Sequence, residues 1–337
     1  MKMKQTGLTF FISLMCFSLF AQGEYRVGVV GLDTSHSIAF TKELNGEDKK
    51  EQYIGFRVVA AYPYGSKTIE SSYSRIPGYI NQMKEMGVEI VASIEELLEK
   101  SDYILLETND GTVHLEQALE VFKHCKGKPV FIDKPIAATL AEAIAIFQLA
   151  KEYNVPIFSS SGVRFTPESQ AIRRGEEGEV LGATTYSPAL REITHPDFGW
   201  YGIHGVEELF TVMGTGCVAV NRMSAEGTDV VTGLWSDGRV GTFRGTRTGK
   251  HLYGGIVFTE NGVTPSGGFQ GYGMLLDEIV KFFRTGEPPV SEMETLEIFT
   301  FMEASNVSKR NNGEIILMED VYRWAMYDAQ QLIKNLE

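Results

Sequence analysis

Apolar positions along the first half of the chain fall into short runs separated by helix-length amphipathic stretches. Residues 25–31 (YRVGVVG) form a valine-rich run closed by glycine, the signature of a fully buried strand. Equivalent runs follow at 56–61, 88–92, 103–107, 129–132 and 155–159. Between them, residues 34–44, 69–86, 94–100, 113–125 and 140–153 carry apolar residues at helical spacing. Strands alternating with helices at this interval predict a parallel sheet covered on both faces, so residues 24–160 are expected to form a doubly wound, Rossmann-like domain.

Beyond residue 165 the pattern changes. Alternating runs at 180–187, 218–225, 230–235, 240–246 and 254–259 read as strands, several joined by turns such as Ser236-Asp237-Gly238 and Glu260-Asn261-Gly262. Connections this short exclude helical crossovers and predict a largely antiparallel sheet. With helices expected at 204–213, 272–285, 293–308 and 320–336, residues 161–337 read as a second, α+β domain.

Residues 1–23 stand apart. Two lysines precede an apolar run from Gly7 to Phe20, and Ala21-Gln22-Gly23 follows, the order of a secretory signal peptide. An apolar run of about 14 residues is short against the roughly 20 that span a bilayer. The mature chain is therefore expected to be periplasmic or secreted, with no membrane span after signal removal.

Charge and cysteine content narrow the partners. The 337 residues carry 31 Lys+Arg against 44 Asp+Glu, a formal net charge of −13, which repels phosphate backbones and excludes nucleic acid as an expected partner. Cys16, Cys125 and Cys217 show neither metal-ligand spacing nor a disulfide framework, and Cys125 and Cys217 read as buried thiols.

Thr108-Asn109, then His114, then Phe131-Ile132-Asp133-Lys134-Pro135 at the end of a strand resemble the TPN…H and EKP segments of the Gfo/Idh/MocA (glucose-fructose oxidoreductase-like) family. Residues 199–214, with His204, resemble that family's histidine-bearing substrate helix. Gly286-Glu287-Pro288-Pro289 resembles its late GxPP turn, and residues 304–308 its penultimate helix. The resemblance implies an oxidoreductase of sugars, polyols or other small carbohydrate derivatives that uses NAD or NADP. It further implies Lys134 and His204 as the catalytic pair, the lysine holding the reacting hydroxyl and the histidine taking its proton. Asn109, His114 and Asp133 would lie toward the cofactor.

The cofactor turn departs from that pattern. Gly31-Leu32-Asp33-Thr34-Ser35-His36 keeps only the first of three fingerprint glycines, and Asp33 adds a negative charge where backbone should approach a pyrophosphate. After the second strand, Tyr62 stands where an acid would bind the adenosine ribose. Asp33, Thr34 and Ser35 also suit a simple helix N-cap, while Asp33 and His36 suit a repurposed site. Arg191, His195, Asp197, Trp200 and Tyr201 lie close before His204 and can hold a sugar by stacking and hydroxyl hydrogen bonds. His195 and His204 follow no recognised metal-ligand spacing, so no metal is expected. Besides the oxidoreductase, two readings stay open: a non-redox lyase, hydrolase or isomerase of an oxidised sugar, and a non-catalytic carbohydrate-binding protein. The C-terminal sheet is a candidate homo-oligomer surface.

Overall fold

The computed structural model describes residues 25–336, so the signal segment expected over residues 1–23 lies outside the described residues. Strands β1 (Tyr25–Val30), β2 (Phe56–Tyr62), β3 (Glu89–Ile90), β4 (Tyr103–Leu106), β5 (Val130–Ile132) and β6 (Ile157–Phe158) form one parallel sheet in the order β3-β2-β1-β4-β5-β6. This is the doubly wound order whose crevice opens where β1 and β4 diverge. Helices α1 (Ser35–Asn45), α2 (Glu70–Tyr73), α3 (Ile76–Glu85), α4 (Ile94–Lys100), α5 (His114–His124) and α6 (Leu140–Glu152) connect the strands.

Local chemistry sets these limits. The α1 N-cap is Thr34, α4 starts at Ser93, whose side chain accepts from Glu96 N, and Thr139 with Glu142 completes a capping box on α6. The span expected as one helix over 69–86 is two, because Pro77 suits a helix first turn and cannot donate inside a helix. The third and sixth strands are shorter than the apolar runs suggested, as befits the sheet edges they occupy.

The C-terminal half begins with a short helix that periodicity missed, α7 (Pro167–Arg173). It is followed by β7 (Val180–Pro188), α8 (Ile203–Met213), β8 (Cys217–Ser224), β9 (Thr228–Trp235), β10 (Val240–Thr246), β11 (Gly254–Thr259) and β12 (Gly262–Ser266). Helices α9 (Gly273–Thr285) and α10 (Glu292–Arg310), strand β13 (Ile316–Leu317) and helix α11 (Met318–Leu336) complete the order. The sheet runs β12-β11-β7-β10-β9-β8-β13; β7 and β10 are parallel and every other neighbouring pair is antiparallel. Strands β12 and β13 extend the expected sheet at both edges.

The two halves share cores. Leu275, Leu276, Ile279, Phe282 and Phe283 of α9 pack with Val27, Val29, Phe56, Phe131 and Phe158 on one face of the parallel sheet. A helix late in the sequence thus covers the first domain and fixes the crevice between the two sheets. No helix among the described residues is long and apolar enough to cross a membrane. Cys125 and Cys217 are free and buried.

Candidate functional site

The crevice at the carboxyl ends of β1, β4 and β5 is closed from the other side by the segment after β6, the start of α8 and the start of α9. It holds an enclosed cavity of about 170 Å³ bordered by Ser35, His36, Asn109, Lys134, His204 and Tyr253, among others. Thr34, Arg75, Ser161, Tyr201, Phe269 and Tyr272 complete its polar and aromatic wall. This volume is below the roughly 300–1,000 Å³ of pockets for drug-sized ligands. Four aromatic rings and several hydroxyl, amide and cationic groups around a small space suit one polyhydroxylated ring.

His204 enters from the first turn of α8. Its Nδ1 lies 2.7 Å from Ser161 Oγ, and Tyr253 packs edge-on against the ring with centroids 5.5 Å apart. Burial, then the electrostatic influence of Lys134 and His36 nearby, hold its pKa well below the ordinary histidine value. The imidazole is therefore a neutral base near pH 7. Ser161 is itself fixed: its N–H donates to Glu207 Oε2 at 2.9 Å, Ser160 Oγ donates to Glu207 Oε1, and Arg164 Nε donates to the same oxygen at 2.8 Å. Arg164 also reaches Glu294 at 2.7 Å. Arg164, Glu207 and Glu294 are all buried, so the base rests on an ion-paired network removed from water. Ser161, Glu207 and Arg164 escaped the sequence reading because a serine-rich strand end and a helix-borne acid carry no signal until the fold joins them.

The turn after β1 is built differently from a dinucleotide cradle. Gly31 adopts φ +93°, and a Cβ there would sit 2.6 Å from the backbone nitrogen of Thr108, so this glycine is obligatory. Asp33 is fully buried and accepts from Ser66 N at 2.8 Å and Asn109 N at 2.9 Å. Ser66 Oγ donates to Asp110 Oδ2 at 2.6 Å, and Asn109 Nδ2 donates to Ser72 Oγ at 3.1 Å. The chain after β2 is thereby laced over the switch point, and a carboxylate occupies the place where backbone would meet a pyrophosphate. The residues of this turn do not fit the glycine cradle of a dinucleotide, since Asp33 replaces the glycine that would let backbone approach the pyrophosphate and its buried carboxylate is held by Ser66 N and Asn109 N. Tyr62 stands outside the cavity, edge-on to Tyr64, and offers no carboxylate to a ribose.

Ser35 and His36 face the cavity. Ser35 Oγ lies 3.0 Å from Tyr272 Oη, and His36 Nδ1 lies 2.9 Å from Asp133 Oδ1. Thr34 caps α1 by accepting from His36 N at 3.5 Å, as the N-cap reading expects. His114, which the resemblance turns toward a cofactor, has both ring nitrogens on backbone carbonyls, Ile136 at 3.1 Å and Thr108 at 2.6 Å. It is fully buried and locks the turn after β4 to the turn after β5.

The cluster before α8 divides. Tyr201 borders the cavity with His204. Trp200 is buried against His195 and Tyr201. His195 and Asp197 border a separate, more open recess of about 590 Å³ with Thr139, Glu303, Asn306, Lys309 and Arg310. Asp197 is an ion-pair hub there, 2.7 Å from Arg222 Nη2, 2.5 Å from Lys309 Nζ and 3.4 Å from Arg191 Nε. These cations hold its pKa below the usual aspartate value against the effect of burial. A side chain so committed contributes to packing before it contributes to a ligand, and Arg191, exposed beyond it, does not reach the cavity of His204.

Sequence comparison matches residues 25–160 to the Gfo/Idh/MocA oxidoreductase family with its NAD-binding Rossmann fold. No curated protein sequence matches significantly. Among solved structures, a probable dehydrogenase from Thermotoga maritima is 19% identical with a TM-score of 0.70, over 88% of this chain and 99% of its own. The scyllo-inositol dehydrogenase of Lactobacillus casei, bound to NAD(H) and scyllo-inositol, is 14% identical with a TM-score of 0.68, over 88% and 99%. The myo-inositol dehydrogenase of the same organism, in complex with NAD(H) and myo-inositol, is 16% identical with a TM-score of 0.67, over 87% and 96%. At these identities the likeness is one of fold, and it runs through both halves of the chain.

Proposed function

Since residues 25–160 match the Gfo/Idh/MocA oxidoreductase family, we propose that this chain acts on a small carbohydrate derivative, with His204 as the base and Lys134 beside the oxygen that gains charge. The observation that carries the proposal is the neutral, serine-anchored His204 bordering the same enclosed cavity as Lys134. With Nδ1 engaged by Ser161, Nε2 is the nitrogen left for substrate. The reading that suits the altered turn is non-redox. His204 takes a proton from the carbon beside a sugar carbonyl, Lys134 stabilises the oxyanion that forms, and the intermediate is reprotonated or expels a β-substituent. The aromatic wall of Tyr201, Tyr253, Phe269 and Tyr272 supplies stacking surface for the ring. That inositol dehydrogenases share the fold supports a polyol or sugar as the ligand class.

A second reading, an NAD(P)-dependent dehydrogenase, is favoured by the family match itself. It keeps the same two residues, His204 now taking the proton of the substrate hydroxyl and Lys134 holding that oxygen, and requires the cofactor turn to admit a dinucleotide. Product analysis separates the two: isomerised or unsaturated sugar without net oxidation supports the first, and oxidised sugar with one equivalent of reduced nicotinamide supports the second. Lys134→Ala and His204→Ala should each lower turnover by about two to four orders of magnitude in either case. A protein that only binds carbohydrate would lose affinity and have no turnover to lose.

Two further expectations belong to this proposal. Export rests on the charged start, short apolar run and small residues of segment 1–23, and N-terminal sequencing of the mature protein tests it. Homo-oligomer formation rests on the outer face of the second sheet, where Leu234 and Val240 pair across β9 and β10, 44% and 48% exposed, beside half-exposed Leu181, Ile256 and Phe258. Light scattering reads the mass, and a monomer at micromolar concentration contradicts it.

A further inference from the structure

Beneath the cavity, the ends of three strands bring together His36, from the first turn of α1 after β1, and Glu107 and Asp133, just past β4 and β5. One donor atom from each lies within 4.8 Å of the others. His36 Nδ1 is 2.9 Å from Asp133 Oδ1 and 3.7 Å from Glu107 Oε2. Donors at about 2.1 Å around a tetrahedral ion stand about 3.4 Å apart, so small side-chain shifts would suffice to close the set on one ion.

The polar inventory is what calls for a ligand. Glu107 and Asp133 are both fully buried. Asp133 Oδ1 accepts from His36 and from Lys134 N at 2.8 Å, but Asp133 Oδ2 and both oxygens of Glu107 have no hydrogen-bond partner. The Lys134 side chain acts on both carboxylates through its charge and makes no hydrogen bond to either. A neutral carboxyl at Glu107 that shared its proton with Asp133 would still leave at least one buried oxygen of the pair without a donor, at a cost of about 1–3 kcal/mol. One divalent cation neutralises two carboxylates and satisfies the unpaired oxygens at once.

The geometry points to a divalent-cation site formed by His36 Nδ1, Glu107 and Asp133, open toward the cavity on the side of His36. One imidazole nitrogen and carboxylate oxygens suit a cation such as Zn²⁺ or Mn²⁺ over thiolate-seeking ions. The spacing of histidines along the sequence gives no hint of it, because the three ligands are 71 and 26 residues apart (107 − 36; 133 − 107) and only the parallel sheet aligns them. Its binding stands apart from the proposed reaction; only its use, polarising a substrate oxygen beside Lys134, rests on that reading.

The test needs no substrate. The mature chain is stripped with a chelator and dialysed separately against micromolar ZnCl2 or MnCl2, and metal per chain is measured by mass spectrometry. The site predicts about one ion per chain for at least one of the two. Glu107→Gln and His36→Gln should each weaken binding by at least about 100-fold, beyond the loss typical of an outer-shell change. Less than one-tenth of an ion per chain with both metals, or binding unchanged in both variants, overturns the site. Should the variants fail to fold, Co²⁺ titration of the unaltered chain decides. Visible absorption saturating at one equivalent supports the site, and its absence overturns it. Failure here leaves the Lys134–His204 chemistry standing, and inactive Lys134 and His204 variants leave the metal count unchanged.

Discussion

Ser161 Oγ sits 2.7 Å from His204 Nδ1, and this contact decides which ring nitrogen of the candidate base is available. Ser161→Ala should keep the fold and the cavity while freeing the ring to rotate. The expected result is a fall in kcat of about 10- to 100-fold with little change in KM, since the lost interaction orients the base and does not touch substrate. A change confined to KM contradicts that role.

His204 also sets a pH limit. Its folded pKa lies below the unfolded value of about 6.5, so the unfolded chain binds the extra proton first and stability falls as pH drops through and below that value. Stability contributed by the neutral ring is fully present above pH 7. Turnover by a neutral base should likewise decline on the acid side, at a pH lower than for an ordinary histidine. His204→Gln should flatten the stability profile between pH 7 and 5, as followed by urea unfolding.

Glu208 behaves in the opposite sense. Burial pushes its carboxyl up to about 7, while Ser169 Oγ donates to one oxygen at 2.6 Å and the other has no partner. A folded pKa above the unfolded one makes its contribution greatest below about pH 4.5 and lost as pH rises toward 7. By the conversion of about 1.4 kcal/mol per pH unit this swing reaches at most about 3.5 kcal/mol. Glu208→Gln, which cannot ionise, should therefore stabilise the protein at pH 8 and leave it nearly unchanged at pH 4.5. Equal effects at both pH values would show that packing, not charge, governs the position.

Much of the frame could be read from the chain. Valine-rich runs and helical spacing placed the six parallel strands, and short glycine turns placed the second sheet as mostly antiparallel. The parallel pairing of β7 with β10 could not be seen, because it joins strands with two others between them in sequence and leaves no local signal. Helix α9 was located correctly by its apolar stripe, yet that stripe does not reveal which sheet it covers. The site divides in the same way. Lys134 and His204 were visible through the motifs around them, whereas Glu107 looked like the end of an apolar strand. Arg164 and Glu207 carry no sign in the sequence that the fold buries them together.

Asp33 stands out in the sequence for the negative charge it brings to the cofactor turn, and in the structure its carboxylate meets the backbone N–H groups of Ser66 and Asn109. Asp33→Ala leaves two buried donors unpaired, at about 1–3 kcal/mol each, so the melting temperature should drop by several degrees. Asp33→Asn, which keeps one acceptor, should lose less. An unchanged melting temperature in Asp33→Ala would mean that the chain after β2 is not held by this residue.

The account turns on the claim that the laced turn at Asp33 excludes a dinucleotide while Lys134 and His204 remain able to act. Calorimetric titration of the purified protein with NAD and NADP in both redox states, after mass spectrometry of anything released on denaturation, tests it most directly. The predicted result is no released dinucleotide and no saturable binding at micromolar concentrations. A co-purifying nicotinamide nucleotide, or saturable one-to-one binding at micromolar concentration, would contradict it.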